Sequence, residues 1–392
     1  MKRICILLFL CGTSWMQNSV LKAQNITIRP EILIGKTLPS NKIFPKTNPQ
    51  FNIGLNFEKR QLSEDREWEK ILNYPNTGIS LYYSNFGNNE VLGNAVSLLP
   101  FILFNLNSKE TLSVKFGLGA SYFNKQYHSI NNSTNSAISS KLTWALQAFI
   151  YYNISVSNFR EFRIGAGYFH HSNGHTKLPN LGLNSVLFSV STPINIVKHK
   201  EISEQSFDIL KIKNIGDTFY TIRYGEGINE FIDYKSKRKS VRALEIYGGV
   251  YYKNIFKISL GLTYNFYEHY YDYIKENKIN PYIKNPITNA SNIYVSIGVE
   301  ALLGNIGVDW EGGLNLYKPF YKHHYLLIEP KHDFKYELKK LFLGRLGLKI
   351  YAKNTSKKPI NNVYIGAHIN SNLSQADFTE LSIGITHRIQ KK

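Results

Sequence analysis

From Leu112 to Tyr122 every second residue is apolar or aromatic: Leu112, Val114, Phe116, Leu118, Ala120 and Tyr122 share one parity, and Ser113, Lys115, Gly117, Gly119 and Ser121 the other. That period of two is the signature of a β-strand, whose successive side chains point to opposite faces. It recurs in Phe256 to Phe266, in Ile293 to Glu300, in Val363 to Asn370 and in Glu380 to Arg388. A run of about ten residues that is apolar on one side and polar on the other suits a strand standing between lipid and a wet lumen. A soluble β-sandwich shares the alternation. Here, however, the polar parity mixes Gly and Ser with Lys, Arg and Glu, as a lumen does. The expected fold is all-β, a transmembrane antiparallel β-barrel of about 14 strands (12 to 16) between Ile26 and Ile389, the even number following from closure.

Composition agrees with this reading. Aromatic residues make up 14% of the chain, with 27 Tyr and 23 Phe, which fits a barrel with aromatic girdles. Lys2 and Arg3 precede the apolar run Ile4 to Leu10, and Ala23-Gln24 offers a cleavage junction, so residues 1–23 read as a secretory signal peptide. Leu10 stands where a lipoprotein signal would carry a small residue before Cys11. Both cysteines, Cys5 and Cys11, lie in that leader, so disulfide, thiol-nucleophile and thiolate-metal chemistry are excluded from the mature chain. After the leader no apolar stretch reaches the length of a membrane helix; the longest, Ala95 to Phe104, is broken by Pro100.

The net charge of +19 falls to +16 once Lys2, Arg3 and Lys22 leave with the leader. Such a charge favours anionic partners, and export favours lipid over nucleic acid. Residues 62–72 read as a short helical insert, and Ile196 to Asp217 as polar and irregular. Without a tandem repeat, linker or composition break, residues 24–392 are expected to form a single outer-membrane barrel domain.

The segment His170-His171-Ser172-Asn173-Gly174, followed by Pro179-Asn180-Leu181-Gly182-Leu183-Asn184, interrupts this pattern. By parity His170 and Ser172 join the apolar, lipid-facing side of their strand with Ile164, Ala166 and Tyr168. Asn184 joins Val186, Phe188 and Val190 on the next. A hairpin around residues 173–183 brings the three within reach of one another, since neighbouring strands lie about 4.8 Å apart. His170 can then take the proton of the Ser172 hydroxyl while Asn184 holds the imidazole in the required tautomer. Asn173 and Gly174 offer N–H donors for a tetrahedral oxyanion. Polar groups on a lipid-facing wall are expensive and call for a functional reason; the rival, structural reading is a set of interfacial polar residues at a strand end. His171 faces the lumen, so His170, His171 and His175 do not converge on a zinc ion.

The pattern His-x-Ser-Asn, then Pro-Asn-x-Gly, then a residue fourteen after the histidine resembles the lipid A 3-O-deacylase (PagL-type) family of outer-membrane β-barrels, sometimes labelled acyloxyacyl hydrolases. The resemblance covers mainly Gly165 to Ser191, in a chain much longer than such enzymes. It implies an ester hydrolase that removes an acyl chain from lipid A or a related glycolipid in the bacterial outer membrane, from an active site facing the lipid of the outer leaflet. It makes His170 the base, Ser172 the nucleophile, Asn173 and Gly174 the oxyanion hole, and Asn184 the occupant of the family's glutamate position. Replacing a triad carboxylate by its amide can cost about 10⁴-fold in rate, although an asparagine orients the histidine in papain-like proteases. Asp309, Glu311, Asp377 and Glu380 are candidate substitutes, Glu380 disfavoured by its lumenal parity. No cofactor is implied.

Two other functions fit the same chain. One is a passive anion pore whose lumen carries Lys115, Arg163, Lys257, Arg345 and Lys349. The other is a barrel that has kept the motif, lost turnover and now binds lipid A.

Overall fold

A computed structural model describes residues 26–42, 44–62, 66–157, 160–194, 215–231, 237–328, 333–373 and 375–390. The expected leader, residues 1–23, lies outside them, as does most of the irregular segment 196–217.

Among the described residues the alternating segments form sixteen strands, and they close into two barrels of eight where one barrel of about fourteen was expected. The first comprises β1 (Thr27–Leu38), β2 (Gln50–Arg60), β3 (Asn76–Asn85), β4 (Asn94–Asn105), β5 (Leu112–Phe123), β6 (Leu142–Ser157), β7 (Arg160–Ser172) and β8 (Leu183–Ser191). It closes where β1 pairs with β8, Ile32 opposite Val190 and Leu38 opposite Asn184. The second comprises β9 (Ile215–Asn229), β10 (Lys239–Tyr252), β11 (Phe256–Tyr267), β12 (Ser291–Leu303), β13 (Ile306–Tyr317), β14 (Phe342–Tyr351), β15 (Asn361–Asn372) and β16 (Gln375–Ile389). It closes where β16 pairs with β9. Residues 24–392 are therefore not a single barrel domain. Parity identifies strands and faces but carries no signal for where a sheet returns to its first strand, and the polar, irregular sequence between β8 and β9 lacks the Gly and Ser enrichment of a flexible linker.

Side-chain parity follows the sequence reading. Ile32, Ile34, Phe116, Leu260 and Ile383 are exposed on the outer walls, while Ser113, Lys115, Ser121 and Lys257 are buried inside. An eight-stranded barrel is just wide enough to be filled by side chains. In the first, Glu31 accepts from Asn56 (2.9 Å), Tyr82 (2.7 Å), Tyr151 (2.9 Å) and Ser189, and lies 3.9 Å from Lys115 Nζ. Arg163 pairs with Glu58 at 2.8 Å. Phe149, the cross-strand partner of Gly167 on β6, lays its ring over the glycine, so that a Cβ on Gly167 would sit 2.3 Å from that ring and the inward glycine is a packing requirement.

In the second barrel Arg223 is paired with Glu245 (2.5 Å) and Glu380, Arg345 with Asp309 (2.9 Å) and Glu311, and Lys349 with Glu300 (3.2 Å) and Asp309 (3.1 Å). Lys257 lies 3.6 Å from Glu300. Lys115, Arg163, Lys257, Arg345 and Lys349, which as free cations would line an anion pore, are thus buried in plugged lumina and matched by carboxylates.

Helices decorate the loops. The expected insert contains α1 (Glu67–Ile71). The rim of the second barrel carries α2 (Glu268–Glu276), α3 (Pro286–Asn289), α4 (Tyr321–Ile328) and α5 (Phe334–Leu341). Segment 277–289 contains helical turns at Tyr282–Lys284 and Pro286–Asn289. Around this cap Phe231, Tyr267, Tyr270, Phe320 and Phe378 form an aromatic cluster. His324, in α4, stacks on Phe231. The barrels touch at both ends: Glu67 of α1 accepts from Asn254 (3.0 Å) and pairs with Lys358 (2.8 Å), both in turns of the second barrel.

Removing one partner of a buried charge network leaves the others uncompensated, typically at a cost of about 3–5 kcal/mol. Arg345→Met, which removes the guanidinium paired with Glu311 while Asp309 keeps Lys349, is expected to lower the unfolding free energy of the full chain in urea by that order. A midpoint equal to that of the unmutated protein would show the network to be energetically neutral.

Candidate functional site

The site stands on the outer wall of the first barrel, where β6, β7 and β8 approach one rim. His170 is directly opposite Asn184 in the β7–β8 ladder, and Ser172 is directly opposite Trp144 of β6. Asn184 thus faces the histidine itself. Asn184 Oδ1 lies 2.7 Å from His170 Nδ1. It also accepts from the hydroxyl of Tyr168, two residues before His170 on the same face. An amide oxygen is acceptor-only, so the arrangement fixes the proton on Nδ1 and leaves Nε2 as the basic nitrogen. His171, as its parity requires, is in the lumen, with Nδ1 3.0 Å from Ser121 Oγ and its ring against Phe86, Phe123 and Phe169.

Ser172 is buried, and its hydroxyl oxygen accepts from Asn180 Nδ2 (2.9 Å) and from the backbone N–H of Gly174 (3.2 Å). Among the described residues these two are its hydrogen-bond partners; His170 stands beside it on the same face, two residues earlier. Contacts between base and nucleophile are commonly long without substrate and tighten in the complex.

Of the expected oxyanion pair, Gly174 donates to Ser172 Oγ and Asn173 donates elsewhere. Asn173 is buried, and its side-chain amide donates to Ser139 Oγ (2.9 Å) and to the Lys177 carbonyl (2.7 Å). Its backbone N–H donates to Asn180 Oδ1 (3.0 Å). Asn173 therefore builds the loop between β7 and β8, while Gly174 N–H and Asn180 Nδ2 are the donors next to Ser172. Asn180 lies in a loop, and a loop has no parity from which the sequence could place a side chain. Tyr168 was findable: it shares the parity of His170 and stands at the same spacing as Ser172.

Neighbouring positions leave room for the ring and for an apolar ligand. Gly182 has φ +73°, and a Cβ there would lie 3.1 Å from His170 Cε1. Beyond Tyr168, toward the middle of the wall, Val114, Phe116, Ala148, Ile150, Ala166 and Val186 line a groove of about 460 Å³ whose surface is almost wholly apolar. Its floor is low because Ala148 and Ala166 stand between larger neighbours.

The four carboxylates considered as substitutes for Asn184 are elsewhere. Asp309, Glu311 and Glu380 are paired inside the second lumen, and Asp377 accepts from Tyr267 (2.7 Å). Among the described residues no group of three or more His, Cys, Asp and Glu is disposed to hold a metal ion.

The second barrel closes over the loop. Thr379 Oγ1 accepts from Trp144 Nε1 (3.2 Å) and lies 3.4 and 3.3 Å from the carbonyl oxygens of Asn173 and Gly174. Glu230 accepts from the Leu178 N–H (2.5 Å), and its own N–H donates to the His175 carbonyl (3.3 Å). His175 is enclosed there, and burial holds its imidazole below the usual histidine range, opposed by the Asp377 carboxylate.

Apolar outer walls, plugged lumina and a polar His-Ser-Asn cluster at one rim are features of β-barrels built to stand in a membrane. The first barrel matches a known family: residues 50–193, from β2 past the end of β8, match the model of the family described as lipid A 3-O-deacylase (PagL). Among solved structures, the outer membrane enzyme PagL is 14% identical and covers 42% of this chain and 99% of its own, at a TM-score of 0.32. An outer membrane channel from Pseudomonas putida F1 is 8% identical over 93% of this chain and 96% of its own, at a TM-score of 0.21. A mutant of the Rh. blastica porin is 9% identical over 93% and 100%, at 0.17. No curated protein matches the chain.

Gly174 has φ +62°, and a Cβ there would lie 2.1 Å from Thr379 Oγ1. Gly174→Ala is expected to destabilise the full chain by more than about 1 kcal/mol through strain and displacement of the seam. It should also shift the emission of Trp144. An unshifted spectrum together with an unchanged urea midpoint would contradict this packing.

Proposed function

We propose that the first barrel is an esterase of the bacterial outer membrane that removes an ester-linked acyl chain from lipid A or a related glycolipid. The observation that carries the reading is the direct His170–Asn184 pair, with Nδ1 to Oδ1 at 2.7 Å, beside a buried serine on a lipid-facing wall. The family matched by residues 50–193 supports the same substrate class.

In this mechanism Ser172 Oγ attacks the ester carbonyl carbon while His170 Nε2 takes its proton. Gly174 N–H and Asn180 Nδ2, already directed at Ser172 Oγ, turn to the oxyanion that forms beside it. Each such donor is typically worth about 10²- to 10³-fold in rate. His170 then protonates the departing sugar oxygen, and water, activated by the same nitrogen, releases the fatty acid. The apolar groove beyond Tyr168 receives the acyl chain. Lipopolysaccharide occupies the outer leaflet, so the rim bearing the loop 173–182 faces outward from the cell.

Asn184 orients the imidazole without contributing a negative charge, so the imidazolium that forms during attack is less stabilised than it would be beside a carboxylate. Tyr168 reinforces the orientation by donating to the same oxygen.

Mass spectra of lipid A from cells expressing the full chain should lack an acyl chain, and Ser172→Ala should restore it. Asn180→Ala should lower kcat by about 10²-fold through loss of one oxyanion donor. Asn184→Ala should lower it as well. Unaltered lipid A in cells making the unmutated protein would sink the hydrolase reading, and activity appearing only in Asn184→Glu would identify a lipid-binding barrel that has lost turnover.

A further inference from the structure

The geometry points to the second barrel as a positioning element for the first: Thr379 of β16, held by Trp144, orients the Asn173–Gly174 peptide so that the Gly174 N–H faces Ser172. The inference rests on the esterase reading for its kinetic consequence, but its structural content stands on contacts 205 and 206 residues apart in sequence.

A trans peptide is planar, and its carbonyl and N–H point in opposite directions. The carbonyl of Asn173 and the N–H of Gly174 belong to one such unit. The N–H is 3.2 Å from Ser172 Oγ, and the carbonyl on the other side meets Thr379 Oγ1 at 3.4 Å. Fixing one end of the unit fixes the other. An indole N–H is a donor only, so Trp144 Nε1 occupies a lone pair of the Thr379 hydroxyl and leaves its proton to the loop carbonyls. Trp144 is itself the cross-strand partner of Ser172. The second barrel is therefore tied to the nucleophile's neighbour and to the peptide behind the nucleophile at once.

Two further observations fit this clasp. Gly174 adopts a left-handed φ, and the place its Cβ would occupy is filled by Thr379 Oγ1. Glu230 holds the same loop four residues on, through the Leu178 N–H and the His175 carbonyl. Within the first barrel the Asn173 carbonyl also accepts from Thr176 Oγ1 (3.1 Å). Removing Thr379 thus loosens the peptide without freeing it, and the predicted effect is graded.

Thr379→Val keeps the shape and removes the hydroxyl. In the full chain it should lower kcat on lipid A by about 10-fold or more and leave KM within about twofold, because a misaligned donor weakens the transition state and not the resting complex. Thr379→Ser should restore most of kcat. Amide hydrogen exchange should be faster at Gly174 and Leu178 in Thr379→Val than in the unmutated chain. A kcat equal to that of the unmutated enzyme, a rise in KM alone, or unchanged exchange would overturn the inference. If the unmutated chain and Ser172→Ala leave lipid A equally untouched, the esterase reading fails instead, and the exchange comparison by itself decides whether the second barrel holds the loop.

Discussion

In a bilayer every backbone N–H and C=O must find its partner within the protein, because the hydrocarbon offers none. A sheet meets that demand by closing on itself, and this chain does so twice, β1 on β8 and β16 on β9. Closure at eight strands leaves an interior only wide enough for side chains. Charged residues of the polar parity therefore have nowhere to go but into one another: Arg163 onto Glu58, Arg345 onto Asp309 and Glu311, Lys349 onto Glu300. The lumina become cores. A large positive charge on the sequence does not become a conduit.

With the interiors filled, the outer wall is left for chemistry, and its rim is where polar groups are tolerable. That is where His170, Ser172 and Asn184 stand, with Tyr168 and Asn180 completing their hydrogen bonds. An apolar groove lined by Val114, Phe116, Ala148, Ile150, Ala166 and Val186 lies beside that cluster on the same wall. The amide at position 184 retains the orienting half of a carboxylate's role and lacks the charge. The site is accordingly well ordered and electrostatically weaker than one with a carboxylate.

The loop between β7 and β8, which carries the Gly174 N–H and Asn180 Nδ2 beside Ser172, is held from two sides. Asn173 ties it internally to Ser139 and Lys177, but its outer side is covered by residues from the second barrel. Two plugged barrels touch at both rims, and the second closes over the loop beside Ser172 in the first.

The sequence by itself determined the strands, their faces and the outward parity of His170, Ser172 and Asn184, because a period of two is a local property that each strand carries independently of its neighbours. It also placed His171 in the lumen for the same reason. It did not reveal that the sheet closes at eight strands and then again at sixteen, since closure depends on pairing between residues some 150 positions apart, and neither β8 nor β16 announces its partner. Nor could it assign Asn180, Asn173 or Thr379. Loop side chains follow no period, and the contact between Thr379 and the Asn173 carbonyl exists only because two separately closed barrels lie side by side. Periodicity decided which residues face the membrane; packing between distant segments decided which of them meet at Ser172.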